Sequence, residues 1–450
     1  METPGRERVP CDLLVSARVV LTQNQDREVL TDGAVAIMGR TIAAVGPAVD
    51  LRRDFAPARD LNLGESLLMP GLINAHTHAS MTLLRGAADD LPLMDWLNTH
   101  IFPLEAKLSP ELAHLGALLG CAEMLSFGTT AFLDMYLLER ATARAARESG
   151  LRAVVGEVLF GFPSPAYRNM EEGLDLVRAM HEELGPSGRV RTAVMPHSLY
   201  TCPPELLTKS FALAEELDLL WHTHLAETIS ETARAQHEFH QYPVEYMLDL
   251  GLLSPRSTLA HVVFPTPDEI DILVSTGAHV VHCPESNMKL ASGVSPIPDL
   301  LAAGVSLGLG TDGPCSNNNL NLFEEMGTAA LLHKSEALDP TRITAQQVLD
   351  LATLGGAACL NQNGQGQNGL GSLAPGKVAD FCALDLTAPN MMPLFDPVAQ
   401  AVYAATGQEV RLTVVDGVVR YQDGRYTDID FPLLIQEMDK VRDWVKRNRA

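Results

Sequence analysis

Between Met69 and Gly310 the chain alternates short apolar runs of strand length with longer segments whose apolar residues recur at helical spacing. Eight strand-like runs can be counted, ending near Ala75, Met135, Leu159, Pro196, Thr223, Ala260, Val281 and Gly310. Helical segments such as Pro110 to Ser126, Met170 to Leu184, Pro204 to Leu217 and Ala345 to Leu354 fall between or after them. This is the pattern of a parallel sheet covered by helices. Eight such units over this length predict an α/β fold, a single (β/α)8 barrel of TIM type. A doubly wound open sheet is the alternative, but no glycine-rich phosphate fingerprint follows the first strand.

The two ends of the chain read differently. Residues 12–68 are short strands and turns, among them Gly33 to Ile37, the turn Met38-Gly39-Arg40 and the return Ile42 to Gly46. The run Gly371 to Asp385, the strand Val410 to Val415, the turn Asp416-Gly417 and the strand Val418 to Tyr421 have the same texture. Two strand-rich ends around an α/β middle predict a small β-sandwich domain built from both termini. Its first part is 1–68, the barrel is 69–370, and 371–450 is the second part plus a closing helix from Leu433 to Arg449.

Composition narrows the function classes. The 450 residues suffice for one large catalytic domain and a smaller one. No stretch approaches the roughly 18 consecutive apolar residues of a membrane span, and Met1 to Pro10 lacks a signal-peptide pattern. A net charge of -23 disfavours a nucleic-acid partner, since phosphate binding draws on clustered Lys and Arg. Seven cysteines, an odd number without CxxC, fit reduced thiols. A cytoplasmic enzyme is expected, with no membrane partner.

Polar residues cluster where the strands end: His76-Thr77-His78 on the first, His197-Ser198 on the fourth, His222-Thr223-His224 with Glu227 on the fifth, His261 on the sixth and Thr311-Asp312-Gly313 on the eighth. In a barrel these ends share the face where active sites are built. Residues i and i+2 of a strand point the same way, so His76 and His78 can project together. A histidine from the fifth strand and a carboxylate from the eighth would complete a nitrogen and oxygen set suited to zinc, and also to iron, nickel or manganese. Two neighbouring histidines alone carry little weight; the ordered set carries much more. His237 and His240 lack a partner carboxylate and are expected to face solvent, and His279 and His282 lie on opposite faces of their strand.

Met69-Pro70-Gly71-Leu72-Ile73-Asn74-Ala75-His76-Thr77-His78 resembles the first-strand motif of the amidohydrolase superfamily, and Gly376-Lys377-Val378-Ala379-Asp380 is similar to its return into the small domain. Within it the chain most resembles 5-methylthioadenosine/S-adenosylhomocysteine deaminases. The matching blocks are Met81 to Gly86, Ala88 to Met94, His224-Leu225-Ala226-Glu227-Thr228, His282 to Leu290 and Thr311-Asp312-Gly313. The resemblance implies that His76, His78, His224 and Asp312 bind one divalent metal, zinc first. A second metal is not implied, because the fourth strand ends in His197 rather than in the lysine that bridges binuclear members.

The implied reaction is attack of a metal-bound hydroxide on C6 of an adenine nucleoside, releasing ammonia. The candidate substrates are 5′-methylthioadenosine, S-adenosylhomocysteine and adenosine. The resemblance gives Asp312 the water's proton, Glu227 the proton for ring N1, and His261 the orientation of the water. It gives Glu105 the ribose hydroxyls and His197 a contact with the nucleoside. Arg168 is a candidate partner for the carboxylate of S-adenosylhomocysteine, with a surface role an equal alternative; Trp96 covers the substrate or belongs to the core. Asn317 to Asn319 and Asn321 cap the following helix or line the pocket. A homo-oligomer, dimer or tetramer, is implied as well.

Rival readings stay within reach of the same scaffold. A guanine or 8-oxoguanine deaminase would act on a free base, which Glu105 disfavours, and a triazine chlorohydrolase could dispense with an acid at Glu227. The cytidine-type zinc site needs HxE and PCxxC, and Cys202-Pro203-Pro204 has no second cysteine two residues on. A non-catalytic metal-binding protein on this scaffold would be expected to have lost one of these positions.

Overall fold

The computed structural model describes residues 8–91, 93–361 and 369–448. Pro92 in the Ala88 to Met94 block, residues 1–7 and Arg449 at the expected end of the closing helix lie outside the described residues. Eight parallel strands build the barrel: Leu72–Thr77, Thr129–Tyr136, Arg152–Leu159, the two pieces Val190–Thr192 and Met195–Pro196, Trp221–Leu225, Ser257–His261, His279–His282 and Ser306–Leu309. They form two hydrogen-bonded arcs, first to fourth and fifth to eighth. Parallel bridges Val194 to Trp221 and Thr77 to Asp312 close the ring.

Alternation along the strands sorts their side chains. Ile73, Ala75, Ala131, Leu133, Val154 and Val281 share one buried cluster inside the barrel. Phe132, Ala153 and Val155 point outward and pack with Ala117, Cys121 and Leu125 of the helix Pro110–Ser126. Both faces are covered, which is why the strands read as unbroken apolar runs. That helix starts where Ser109 accepts from the Leu112 amide with proline in the first turn, and Asn169 caps Met170–Leu184 in the same way. Gly310 permits the close approach at the seam, since a Cβ there would lie 2.9 Å from the backbone N and O of His76.

The chain ends join in one nine-stranded sheet, in which Phe381–Asp385 pairs antiparallel with Ser66–Pro70. Val9–Leu21 pairs along its length with Val29–Met38, Phe55–Asn62 and Ser66–Pro70. Leu13, Val35 and Ile37 share a core with Phe381, Leu412 and Val414 from the far end of the strand order, so the sheet folds over on itself. The closing helix, Phe431–Asn448, belongs to the barrel side: Leu434 packs with Ala117 and Cys121, and Val441 joins the cluster of Ile101. No helix among the described residues is long and apolar enough to cross a membrane.

Barrel and sheet are tied by a buried ion cluster. Arg152, opening the third strand, donates to Asp380 Oδ2 at 3.0 Å and also to Asp416, while Asp380 Oδ1 accepts the Asp416 amide at 2.7 Å. The three side chains are 5%, 3% and 6% exposed. Arg152→Ala leaves the Asp380 carboxylate buried without its cation, while Asp416 keeps Arg40 and Arg189, and a loss of about 3–5 kcal/mol in unfolding free energy is expected. Denaturant melts check this; an unchanged midpoint would show that the cluster does not hold the two parts together.

Candidate active site

The strand ends bring the expected residues together. His76 Nε2 and His78 Nε2 lie 3.3 and 3.1 Å from Asp312 Oδ1, and His224 Nε2 lies 3.4 Å from His78 Nε2. One ligand atom from each of the four falls within 4.8 Å of the others. Non-glycine residues with left-handed backbone gather at the same strand ends: Ala226 at φ 50, His261 at φ 76 and Asp312 at φ 59. Such conformations are disfavoured and persist where surrounding structure enforces them.

Each histidine is oriented through its other ring nitrogen. His78 Nδ1 faces the Met135 carbonyl, and His224 Nδ1 faces the His197 carbonyl at 2.7 Å. A carbonyl only accepts, so Nδ1 carries the proton and Nε2 presents a lone pair. His76 is set by a longer relay. Its Nδ1 lies 2.8 Å from His222 Nε2, and His222 Nδ1 lies 2.8 Å from the Thr258 carbonyl. His222 must therefore donate to Thr258 and accept from His76, which again leaves Nε2 of His76 as the free lone pair. Burial, against the pull of Asp312, pushes His76 down to about 4, and it holds His224 well below its ordinary value. Neutral imidazoles are the form that binds metal.

Asp312 is held from behind. Its Oδ2 accepts from Ser286 Oγ at 2.5 Å and Ser316 Oγ at 2.7 Å, which turns Oδ1 toward the histidines. Burial pushes this carboxyl up, but the close approach of the His76 and His78 rings outweighs it and holds it well below the usual carboxylate range. His76 Nε2 is buried and makes no hydrogen bond. An unpaired nitrogen in that position is costly unless a cation takes its lone pair. Three nitrogens and a carboxylate oxygen at this spacing fit a divalent metal ion.

The metal cluster opens into a pocket lined by His78, His197, His224, Glu227, His261 and Asp312 and also by Trp96, Glu105, Tyr136, Phe160 and Tyr200. Glu227 is 5% exposed. Burial, reinforced by the charge of Asp312, pushes its carboxyl up to about 8. His261 Nδ1 faces Asn287 Oδ1 at 3.0 Å, so it donates there and leaves Nε2 as an acceptor. Burial pushes Glu105 up to about 7, with Tyr136 and His78 pulling the other way. It also lowers His197, to about 3, and His197 Nδ1 lies 3.0 Å from Thr201 Oγ1. Trp96 is both core and wall: it lines the pocket, is 5% exposed and donates to the Ala88 carbonyl at 3.0 Å.

Arg168 is not brought to the pocket. Its side chain is 88% exposed and pairs with Glu172 one helical turn on. That pairing satisfies the guanidinium locally, so the alternative of a surface role describes this geometry. Asn321 caps the helix Leu322–Ala337 through the Phe323 amide, and His237 and His240 are exposed as expected. Sequence reasoning gave no role to His222, Ser286, Ser316, Asn287, Tyr136 or Tyr200. His222 had a signal, since it shares a strand face with His224; Ser286 and Asn287 had none beyond lying in a matching block, and Ser316 had none.

With this geometry in place, comparison with known proteins is direct. The amidohydrolase family model matches residues 67–420. A 5-methylthioadenosine/S-adenosylhomocysteine deaminase of Nitratidesulfovibrio vulgaris (Miyazaki F) is 57% identical over 436 residues, 97% of this chain and 98% of that one. The crystal structure of an adenosine deaminase from Xanthomonas campestris with bound zinc superposes with a TM-score of 0.94 at 39% identity, covering 98% of this chain and 100% of that one. An atrazine chlorohydrolase of Arthrobacter aurescens TC1, at 24% identity and a TM-score of 0.88 over 95% of this chain and 99% of that one, shares the fold. The chain belongs to the amidohydrolase family, and within it to the 5-methylthioadenosine/S-adenosylhomocysteine deaminases.

Proposed function

We propose that this pocket hydrolyses the 6-amino group of adenine nucleosides, namely 5′-methylthioadenosine, S-adenosylhomocysteine and adenosine, to the inosine analogues and ammonia. The observation that carries this reading is the buried carboxyl of Glu227, which lines the same pocket as a cluster of three histidines and one aspartate. The name of the relative at 57% identity supports the substrate class.

His76, His78, His224 and Asp312 would hold one divalent cation, with zinc best suited to the set and iron, nickel or manganese also accepted. When bound, the cation supplies the positive charge that acidifies the attacking water. Asp312, kept ionised by its histidine partners, takes the proton that the water gives up. His261 accepts a hydrogen bond from the same water at Nε2 and orients it. Glu227 gives its proton to ring N1 as C6 becomes tetrahedral. Asp312 then passes its proton to the departing amine, and the hydroxyl proton at C6 returns Glu227 to its acid form. Glu105 accepts hydrogen bonds from the ribose diol, and His197, held neutral, contacts the nucleoside.

Ammonia release from the metal-loaded enzyme tests the reading on the three nucleosides and on free adenine. Turnover of nucleosides with little on adenine is expected. Equal rates on adenine would remove the ribose role of Glu105, and no turnover on any of them would overturn the proposal.

Glu227→Gln is expected to keep the metal and to lower kcat by about 10²–10⁴. Steady-state kinetics with metal analysis decide it, and loss of the metal would refute the role of acid. His222→Phe removes the acceptor for His76 Nδ1–H; metal affinity should drop about 10–100-fold in chelator competition. An unchanged affinity would show that the relay does not orient His76.

The same proposal includes a homo-oligomer, dimer or tetramer, in the cytoplasm and without nucleic-acid or membrane partners. Leu338 and Phe395, 91% and 90% exposed, are apolar surface that a second copy could cover. The seven free, buried cysteines accord with a reducing compartment. Light scattering is expected to give a multiple of 48.6 kDa; a monomer mass, or recovery outside the cytoplasm on fractionation, would set this part aside.

A further inference from the structure

The reaction as derived leaves one buried carboxyl beside the site unused. Glu231 lies one helical turn beyond Glu227, in the first turn of the helix Ile229–Phe239, and is 6% exposed. Its Oε2 accepts the backbone amide of Glu227 at 2.9 Å, while its own amide is capped by Thr228 Oγ1 at 3.2 Å. Its Oε1 is buried and has no hydrogen-bond partner. The capping glutamate Glu269 elsewhere in the chain makes the contrast. There one carboxylate oxygen accepts from the Thr266 amide at 2.8 Å and the other from the Val244 amide at 2.6 Å. Capping thus accounts for one oxygen of Glu231 and leaves the other buried without a hydrogen bond from the described residues.

We propose that Glu231 is a positioning residue for Glu227, fixing the backbone from which that acid projects and holding the acid's proton in place through the charge of a second carboxyl. The inference rests on the reading of Glu227 as the acid. The groups around the two carboxyls are His261 from the end of the sixth strand, Asp312 from the eighth, His78 from the first and Tyr200 after the fourth. No lysine or arginine is among the described residues that line the pocket.

Burial pushes Glu231 up to about 7, with the Glu227 and Ala226 amides and His261 pulling down and the Glu227 carboxyl pushing further up. Glu227 stands at about 8. The repulsion between the two carboxyls is mutual, so a charge on Glu231 opposes ionisation of Glu227. The acid form of Glu227 accordingly survives to higher pH than burial alone would give.

The test is the pH profile of kcat/KM for the metal-loaded wild type, Glu231→Gln and Glu227→Gln, measured side by side. Loss of the acid form of Glu227 sets the alkaline limb of the wild type. Glutamine at position 231 can still accept the Glu227 amide but carries no charge, so the limb is expected to move down by about one pH unit. A uniform loss of activity with the limb in place would overturn the proposal and leave Glu231 as a capping residue. Glu231→Ala makes the same charge removal should the glutamine variant not fold. If Glu227→Gln keeps both its activity and its alkaline limb, it is the acid assignment of Glu227 that fails, which separates the two outcomes.

Discussion

Everything in the site depends on the closure of the barrel between its first and eighth strands. The Thr77 to Asp312 bridge brings the only carboxylate of the metal cluster to the two histidines of the first strand. Gly310 makes the approach possible, because any side chain there would collide with the backbone of His76. The Asp312 amide donates to the His76 carbonyl at 3.0 Å, so backbone pairing fixes the ligand geometry before any ion is considered. Strands carry His76 and His224, while His78 directly follows the first strand and Asp312 is held by a bridge just beyond the eighth, so backbone pairing limits how far the four can drift.

Orientation of the ligands is settled one layer further out. Carbonyls of Met135, His197 and Thr258, the last through His222, decide which nitrogen of each imidazole carries the proton. Ser286 and Ser316 do the equivalent for Asp312 by occupying its outer oxygen. These contacts come from separate elements of the barrel, and substitution of His222 or of either serine would act on the metal site without touching the ion.

The same dry interior gives neighbouring carboxyls opposite states. Asp312 accepts hydrogen bonds from two serines, lies against two histidine rings and stays ionised. Glu227 accepts no hydrogen bond at its carboxyl from the described residues and is pushed toward its acid form by burial and by Asp312. A base and an acid a few ångströms from one substrate are what amine displacement needs, and environment rather than residue type assigns the roles.

Much of this was legible in the sequence. Period and run length gave eight strands and their ends, and the strand-end placement of His76, His78, His224, His261 and Asp312 follows from alternation and order alone. The strand-rich termini foretold one small domain from both ends, and the blocks around His76, His224 and Asp312 gave the family. Three things needed the folded chain. For Arg168 the sequence leaves a substrate contact and a surface role equal, and its local pairing with Glu172 is visible only in the folded chain. The closing helix packs on the barrel, because its apolar stripe meets the helix Pro110–Ser126 far away in sequence. His222, the serines behind Asp312, and Glu231 behind Glu227 gain their roles from contacts across strands or from desolvation. Sequence fixes which groups are present and which face of a strand they occupy, both local properties; proton positions and pKa values depend on what surrounds each group in three dimensions, and only the tertiary structure decides that.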